Sequence, residues 1–250
     1  MTTDTFTLPQ LTMADVVSFH RNGFMAIEQL TTPDDLQRVR ELLDGLFDRF
    51  DELPKNLAFD LGDKKLHDGP QVTPQINGAT NFEPRLKETA TFERASQFAK
   101  QLLGEDATFR FDHAIYKPGN NNRETPWHQD IAYGRINPNP ISWNVAFWIP
   151  LQDATVDSGC MQFIPSSNLG NLLPHHPLEH NPVYHTLQTG QADTQQAVAC
   201  PVPAGGATAH LPRTLHYTGP NVTEQPRRAW ILNFACNLTV NQPPAQQADT

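Results

Sequence analysis

His128 and Asp130 stand one residue apart in the stretch TPWHQDIAYG at positions 125–134. If this stretch enters or leaves a β-strand, residues i and i+2 project from one face, so an imidazole and a carboxylate aim at a common point. Two protein ligands are too few for a tight metal site, and a third has to arrive from elsewhere in the sheet. Two histidines downstream qualify, His210 and His216, in GGATAHLPRTLHYTGPNVTEQPRRAWILNF. Two imidazoles and one carboxylate with open positions suit non-haem iron(II), but a zinc hydrolase can use the same donors, so the triad alone leaves the reaction open. Arg227 and Arg228 lie on the next apolar run. An arginine buried at a strand edge needs an anion, because an unpaired buried charge is costly. A dicarboxylic co-substrate bound to the metal would supply one, gripped in bidentate fashion. The bland alternative is a pair of solvated arginines in the turn after Pro226.

The elements that have to position these groups fall into two textures. Residues 13–22 read as a short helix closed by Gly23, and FMAIEQL follows as a strand. Thr32 then caps a stronger helix, with Pro33 early in it and Asp34 and Asp35 in its first turn. Leu36, Val39, Leu42, Leu43 and Leu46 recur at helical spacing. Residues 51–85 carry weak patterns, and a third helix is expected over 88–104. From about 107 the chain becomes short β-type runs separated by Pro, Gly and Asn, among them TFRFDHAIYK, NVAFWIPL, GCMQFIP, AVACPV, ATAHL and RAWILNFACNL. Successive strands without helical spacers predict an antiparallel sandwich or barrel, with the helical N-terminal third packed against it.

The 250 residues are read as one domain, long enough to bury a full core. Residues 1–11 and 241–250 are polar and expected to fray, and 166–197, rich in His, Pro, Asn and Gln, is expected to be a mobile lid loop over the open end of the β core. A formal charge of -9 without a basic run argues against nucleic acid or an anionic membrane as partner. No segment has the apolar length of a membrane helix, and the first residues lack the pattern of a secretory signal. Cys160, Cys200 and Cys236 show no CxxC spacing and read as buried free thiols of a cytoplasmic protein. Nothing in the residues fixes an oligomeric state.

Several ordered blocks resemble the phytanoyl-CoA dioxygenase family of iron(II)- and 2-oxoglutarate-dependent oxygenases. They are ADVVSFHRNGFMAIEQLTTPDDLQRVRELL, IYKPGNNNRETPWHQD, DSGCMQFIPSSN and GGATAHLPRTLHYTGPNVTEQPRRA, which together span most of the chain. The resemblance implies a double-stranded β-helix (jelly-roll, cupin-like) core. It implies that His128, Asp130 and His216 hold iron, that Arg227 binds the distal carboxylate of 2-oxoglutarate, and that Thr218 assists. His210 aligns with a non-ligand position and is read as a core or supporting histidine. Lys117 and Trp148 match positions near the pocket. The activity implied is oxidation, foremost hydroxylation, of an unactivated C–H bond of a small-molecule metabolite or natural-product intermediate, with O2 consumed and 2-oxoglutarate decarboxylated to succinate.

The sequence departs from the family at the glycine after the third ligand, here Tyr217, at the acid of the "GD" turn, here Gly206, and at "PGSH", here ending in Ser166 and Asn168. These bear on pocket shape and substrate. Related halogenases replace the carboxylate ligand with a small residue, so an intact Asp130 favours hydroxylation. Tyr133, Arg135, Asn137 and Trp143 follow the His-x-Asp pair and are candidates for substrate contact. His175, His176, His180 and His185 match no strand or helix pairing and are not read as a second metal site. Two other readings stand beside the oxygenase: a non-catalytic metal-binding module of the same fold, for which Arg227 would have no use, and a zinc hydrolase on the same triad.

Overall fold

The computed structural model describes residues 6–61, 73–134, 143–178 and 186–236, with Trp143 by its backbone alone. Each helix starts where side-chain chemistry allows. Helix α1 (Met13–Asn22) begins with a reciprocal capping box between Thr12 and Asp15 and ends at Gly23, whose φ of 86° is open to glycine at little cost. Helix α2 (Pro33–Phe47) is capped by Thr32 and buries Leu36, Val39, Leu43 and Leu46, leaving Leu42 at the margin. A single turn, α3 (Ala79–Phe82), precedes α4 (Ala90–Leu103), which Thr89 caps. Asp35 also reaches across to α4, accepting from the amides of Ala90 and Thr91 at 2.9 and 2.7 Å, so one carboxylate ties the two helices together.

The β core comprises β1 (Phe24–Ile27), β2 (Ala58–Asp60), β3 (Pro74–Asn77), β4 (Thr108–Lys117), β5 (Thr125–His128), β6 (Trp143–Pro150), β7 (Met161–Phe163), β8 (His176–Pro177), β9 (Leu187–Gln188), β10 (Val198–Cys200), β11 (Ala207–His210), β12 (His216–Thr218) and β13 (Arg227–Cys236). Strands β1-β11-β6-β13-β4-β3-β2 form one sheet and β10-β7-β12-β5 a second. Every pairing between these strands is antiparallel. This is a double-stranded β-helix, the jelly-roll core that the family resemblance implied, and it is antiparallel as the chain's texture predicted. Helices cover the outer face of the larger sheet, and the smaller sheet faces its inner side.

Strand β13 shows how alternation divides the two environments. Trp230, Leu232 and Phe234 enter the large apolar core beneath the helices, while Ala229 and Ile231 face the second cluster between the sheets. Arg227 and Asn233 share the parity of Ala229 and Ile231, and so face the inside of the jelly roll. Buried Asp112, on the outer side of β4, accepts from Trp230 Nε1 at 2.9 Å and Thr80 Oγ1 at 2.8 Å, anchoring α3 to the sheet. Burial pushes its carboxyl up, against the lowering effect of those donors.

One end of the chain differs from expectation. Residues 6–11, expected to fray, pack against α4: Leu8 is buried, and Gln101 accepts from the Leu11 amide at 2.7 Å. Within the segment 166–197, expected as a lid loop, β8 pairs with β9 and short 3-10 turns form at 167–169 and 194–196. Its residues 179–185 lie outside the described residues, as do Arg135, Asn137, His180 and His185. All three cysteines are free and buried, as expected. No helix among the described residues is long and apolar enough to cross a membrane.

Candidate metal and co-substrate site

His128 is the last residue of β5, and Asp130 opens the 3-10 turn Asp130–Tyr133. The strand therefore ends between the two, and the turn, in place of continued pleating, brings the carboxylate round to the imidazole. His216 opens β12 and lies directly opposite His128 in the β5–β12 register. The Nε2 atoms of His128 and His216 sit 3.6 and 3.4 Å from Asp130 Oδ1, and one donor atom from each of the three residues lies within 4.8 Å of the others. Among the described residues this is the one such cluster of potential metal-binding side chains.

The ring orientations are fixed from behind. His128 Nδ1 is 2.8 Å from the Pro126 carbonyl and His216 Nδ1 is 2.8 Å from the Thr214 carbonyl. A carbonyl only accepts, so both Nδ1 atoms carry the proton and both Nε2 lone pairs face the shared point, as metal ligation requires. Burial, followed by the nearby His216, lowers the pKa of His128, keeping the imidazole neutral. At Asp130 burial acts to raise the pKa, but the neighbouring His216, His128 and His210 outweigh it and hold the carboxylate well below its usual range. A neutral imidazole at His128 and an ionised carboxylate at Asp130 are the protonation states that a hard divalent cation needs.

His210 does not converge with the three. Its Nε2 lies 3.2 Å from Asp130 Oδ2, the carboxylate oxygen turned away from His128 and His216, and its buried Nδ1 has no partner. Donating from Nε2, His210 holds that second oxygen and leaves Oδ1 for a metal.

From the triad a narrow recess runs between the sheets to Arg227, past Trp148, Met161 and Thr218. Arg227 is fully buried, its Nε and Nη1 have no hydrogen-bond partner, and its guanidinium lies 5.3 Å from the Trp148 ring centroid. Burial lowers its pKa from the usual guanidinium range to about 10. Thr218 lines the same recess. Lys117 does not: its ammonium donates to the Gly219 carbonyl at 2.8 Å and lies 3.4 Å from Thr218 Oγ1, so it braces the wall from behind. Burial and then Arg227 push its pKa well below 10.5. Two buried cations thus lie at the far end of the recess from Asp130, and among the described residues no carboxylate pairs with Arg227, which is the electrostatic form of an anion site.

A wider cavity of about 240 Å³ opens on the other side of the triad, with Phe59, Asn77, His113, Tyr133, Thr186 and Asn233 on its walls. Tyr133 is the one candidate for substrate contact whose side chain is described. It lines this cavity, and its hydroxyl accepts from the Leu187 amide at 3.0 Å, joining the site to β9. Gln129 fastens the same segment: its amide donates to His175 Nε2, its Oε1 accepts from Leu173 N, and its Nε2 donates to Arg213 O. His175 therefore serves a hydrogen bond to backbone, and His176 Nδ1 lies 3.0 Å from the Pro177 carbonyl.

The departures from the family blocks have local explanations. Tyr217 stacks on Trp127 with centroids 5.3 Å apart and donates to Glu124 at 2.7 Å. A Cβ on Gly206 would lie 2.7 Å from the Ile27 carbonyl oxygen, so that turn presses against the end of β1. Asn168 donates to the His20 carbonyl at 2.8 Å, pinning α1 to the β core. Sequence reading missed Asn221, whose Nδ2 donates to the carbonyls of Pro118 and Gln225 at 3.0 and 2.8 Å and holds the Lys117 strand end beside Arg227. The GPN block carried that signal. It also missed Gln75, Asn77 and Asn233, for which no local signal exists.

The sequence profile of the phytanoyl-CoA dioxygenase family matches residues 19–229. The chain is 24% identical over 236 residues to the human peroxisomal phytanoyl-CoA dioxygenase, covering 90% of this chain and 68% of that protein. It is 21% identical over 245 residues to the phytanoyl-CoA dioxygenase of Arabidopsis thaliana, covering 86% and 85%. Among solved structures, EvdO2 from Micromonospora carbonacea var. aurantiaca is 32% identical and superposes with a TM-score of 0.78 over 98% of this chain and 99% of that one. The same protein complexed with 2-oxoglutarate gives 31% identity and a TM-score of 0.76 over 96% and 97%. On these grounds the chain belongs to the phytanoyl-CoA dioxygenase family of iron(II)- and 2-oxoglutarate-dependent oxygenases.

Proposed function

We propose that His128, Asp130 and His216 hold iron(II) on one face, that Arg227 and Thr218 bind the distal carboxylate of 2-oxoglutarate, and that a small molecule in the adjoining cavity is oxidised at an unactivated C–H bond. Hydroxylation is the outcome: the C–H bond becomes C–OH as 2-oxoglutarate and O2 become succinate and CO2. Bound iron would supply the activation of oxygen that no side chain can. The observation that carries the reading is Arg227, a buried guanidinium without an anion at the far end of a recess that begins at the triad.

The chain's own residues bind, orient and exclude water. His210 keeps one oxygen of Asp130 occupied, so the carboxylate presents the other. Trp148 and Met161 line the recess and keep it poor in water, which strengthens the charge pairing within it. Lys117 sets the Thr218 hydroxyl and the Gly219 backbone behind the carboxylate. The described parts of 166–197 serve as the cover within the single oxygenase domain: Gln129 and Tyr133 tie down Leu173 and Leu187, and Thr186 lines the cavity.

The test is anaerobic addition of iron(II) and then 2-oxoglutarate to the purified protein, followed by O2. A 2-oxoglutarate-dependent iron absorbance band and then succinate are expected. Absence of the band would overturn the assignment, and would be the expected result for a zinc hydrolase or a non-catalytic metal-binding module.

A further inference from the structure

The inner faces of β4 and β13 run in register as four rungs: Arg227 beside Lys117, Ala229 beside Ile115, Ile231 beside His113, and Asn233 beside Phe111. Strand β3 extends the ladder, placing Asn77 beside His113 and Gln75 beside Ile115. The wall thus changes character along its length, from two buried cations, through a middle of Ala229, Ile115, Ile231 and the His113 ring, to an end of neutral amides and Phe111. His128 and Asp130 share both cavities with His113 and Ile115 of the middle. The cation end forms the recess, and the amide end forms the wider cavity.

Asn233 stands out at that amide end. Asparagine is disfavoured inside strands, yet here it lies near the end of a ten-residue strand, at the point where the β4–β13 register shifts. It is buried, and its Nδ2 has no hydrogen-bond partner. A buried amide donor left unpaired destabilises the fold, and bulges often re-aim side chains beside active sites. Gln75 and Asn77, by contrast, bond to each other at 2.8 Å. Phe59, Phe111 and Tyr133 add aromatic surface to the same cavity, and among its described lining residues Asp130 is the only one with a fixed charge.

We propose that Asn233 donates a hydrogen bond to an oxygen of the substrate, and that the amide-and-aromatic wall takes a neutral, hydroxyl-rich ring compound in preference to an anion or an acyl thioester of a nucleotide. This rests on the oxygenase reading above, which assigns the cavity beside the triad to the substrate. Its apolar ring face lies against the aromatics and its oxygens face the amides. An anionic substrate would meet no cation among the described residues of this cavity, because Arg227 is committed to the recess.

The experiment uses the full chain loaded anaerobically with iron(II) and 2-oxoglutarate, and saturation-transfer NMR with three probes. These are methyl β-D-glucopyranoside, its uronate counterpart, and decanoyl-CoA. The neutral glycoside is expected to receive saturation on its ring protons, with the uronate and the thioester weaker by about tenfold. Asn233→Leu and Asn233→Asp, both keeping the branched shape of the side chain, are each expected to weaken the glycoside signal by about tenfold. The 2-oxoglutarate band and a cooperative melting curve are expected to persist in both variants. No contact with the neutral probe, equal contact with all three, or full contact in both variants overturns the proposal. Loss of the 2-oxoglutarate band in the wild-type protein would instead overturn the oxygenase reading.

Discussion

Arg227→Leu separates co-substrate binding from metal binding. The wild-type guanidinium is buried with two nitrogens unpaired, and burial lowers its pKa from the usual guanidinium range to about 10. That displacement corresponds to roughly 3 kcal/mol held against the folded protein when no anion is present, part of it offset by the Trp148 ring beneath. A carboxylate gripped by two nitrogens would gain charge-assisted hydrogen bonds of about 1.5–3 kcal/mol each. Thr218 and the Lys117 charge remain in the variant, so the low end applies, and 2-oxoglutarate is expected to bind about 100-fold more weakly. Iron affinity should change by no more than about threefold, because the guanidinium contacts none of the three ligands. The co-substrate-free variant should also melt higher than the wild type, by about 2–4 °C for each kcal/mol of relieved burial. Anaerobic titration calorimetry gives both affinities, and thermal melts with and without 2-oxoglutarate give the stability difference. A parallel loss of iron and 2-oxoglutarate, or a variant that melts lower without co-substrate, would refute the role given to Arg227.

Replacing His210 by Phe removes the donor to Asp130 Oδ2 at similar size and should weaken iron binding by about tenfold, in the range known for partners of metal ligands; His210→Gln should restore part of it, and equal affinities in all three proteins would refute the supporting role. Lys117 binds its proton less tightly in the folded protein than in the unfolded chain. Between its depressed pKa and 10.5 the unfolded state therefore carries more protons, so stability without co-substrate should rise with pH across that window relative to Lys117→Met; denaturant melts at several pH values check the slope, and parallel curves would refute it. Asn221→Ala strands the carbonyls of Pro118 and Gln225 and should cost about 2–4 kcal/mol of stability by denaturant titration; a loss under about 0.5 kcal/mol, the range of neutral surface changes, would show the staple is not needed.

Much of the site was legible because its signals are local or strongly typed. Thr12, Thr32 and Gly23 announce helix ends through interactions within a few residues of themselves. The strand texture after residue 107 follows from alternation, which acts between near neighbours. His128, Asp130, His216 and Arg227 belong to residue types whose chemistry is rare enough, at ordered spacing, to be recognised in blocks. The reason given for one of them was incomplete, since Asp130 meets His128 through a 3-10 turn after the strand has ended.

What tertiary structure decided is which ordinary residues those groups face. Asp35 reads in sequence as a first-turn acid of its own helix, and it also caps another that begins 55 residues later. Leu8 looked like part of a loose end until α4 gave it an apolar surface to cover. Gln75, Asn77 and Asn233 carry no signature in the chain, because neutral amides occur everywhere on protein surfaces. They become one wall only through the β3–β4–β13 pairing, which joins residues more than 100 positions apart. The sequence by itself determined the residue types of the candidate site, the helix ends and the β texture, through short-range sterics and hydrogen bonding. The fold decided the register, and with it the separation of a recess that ends at Arg227, proposed for the co-substrate, from an amide-and-aromatic cavity, proposed for the substrate.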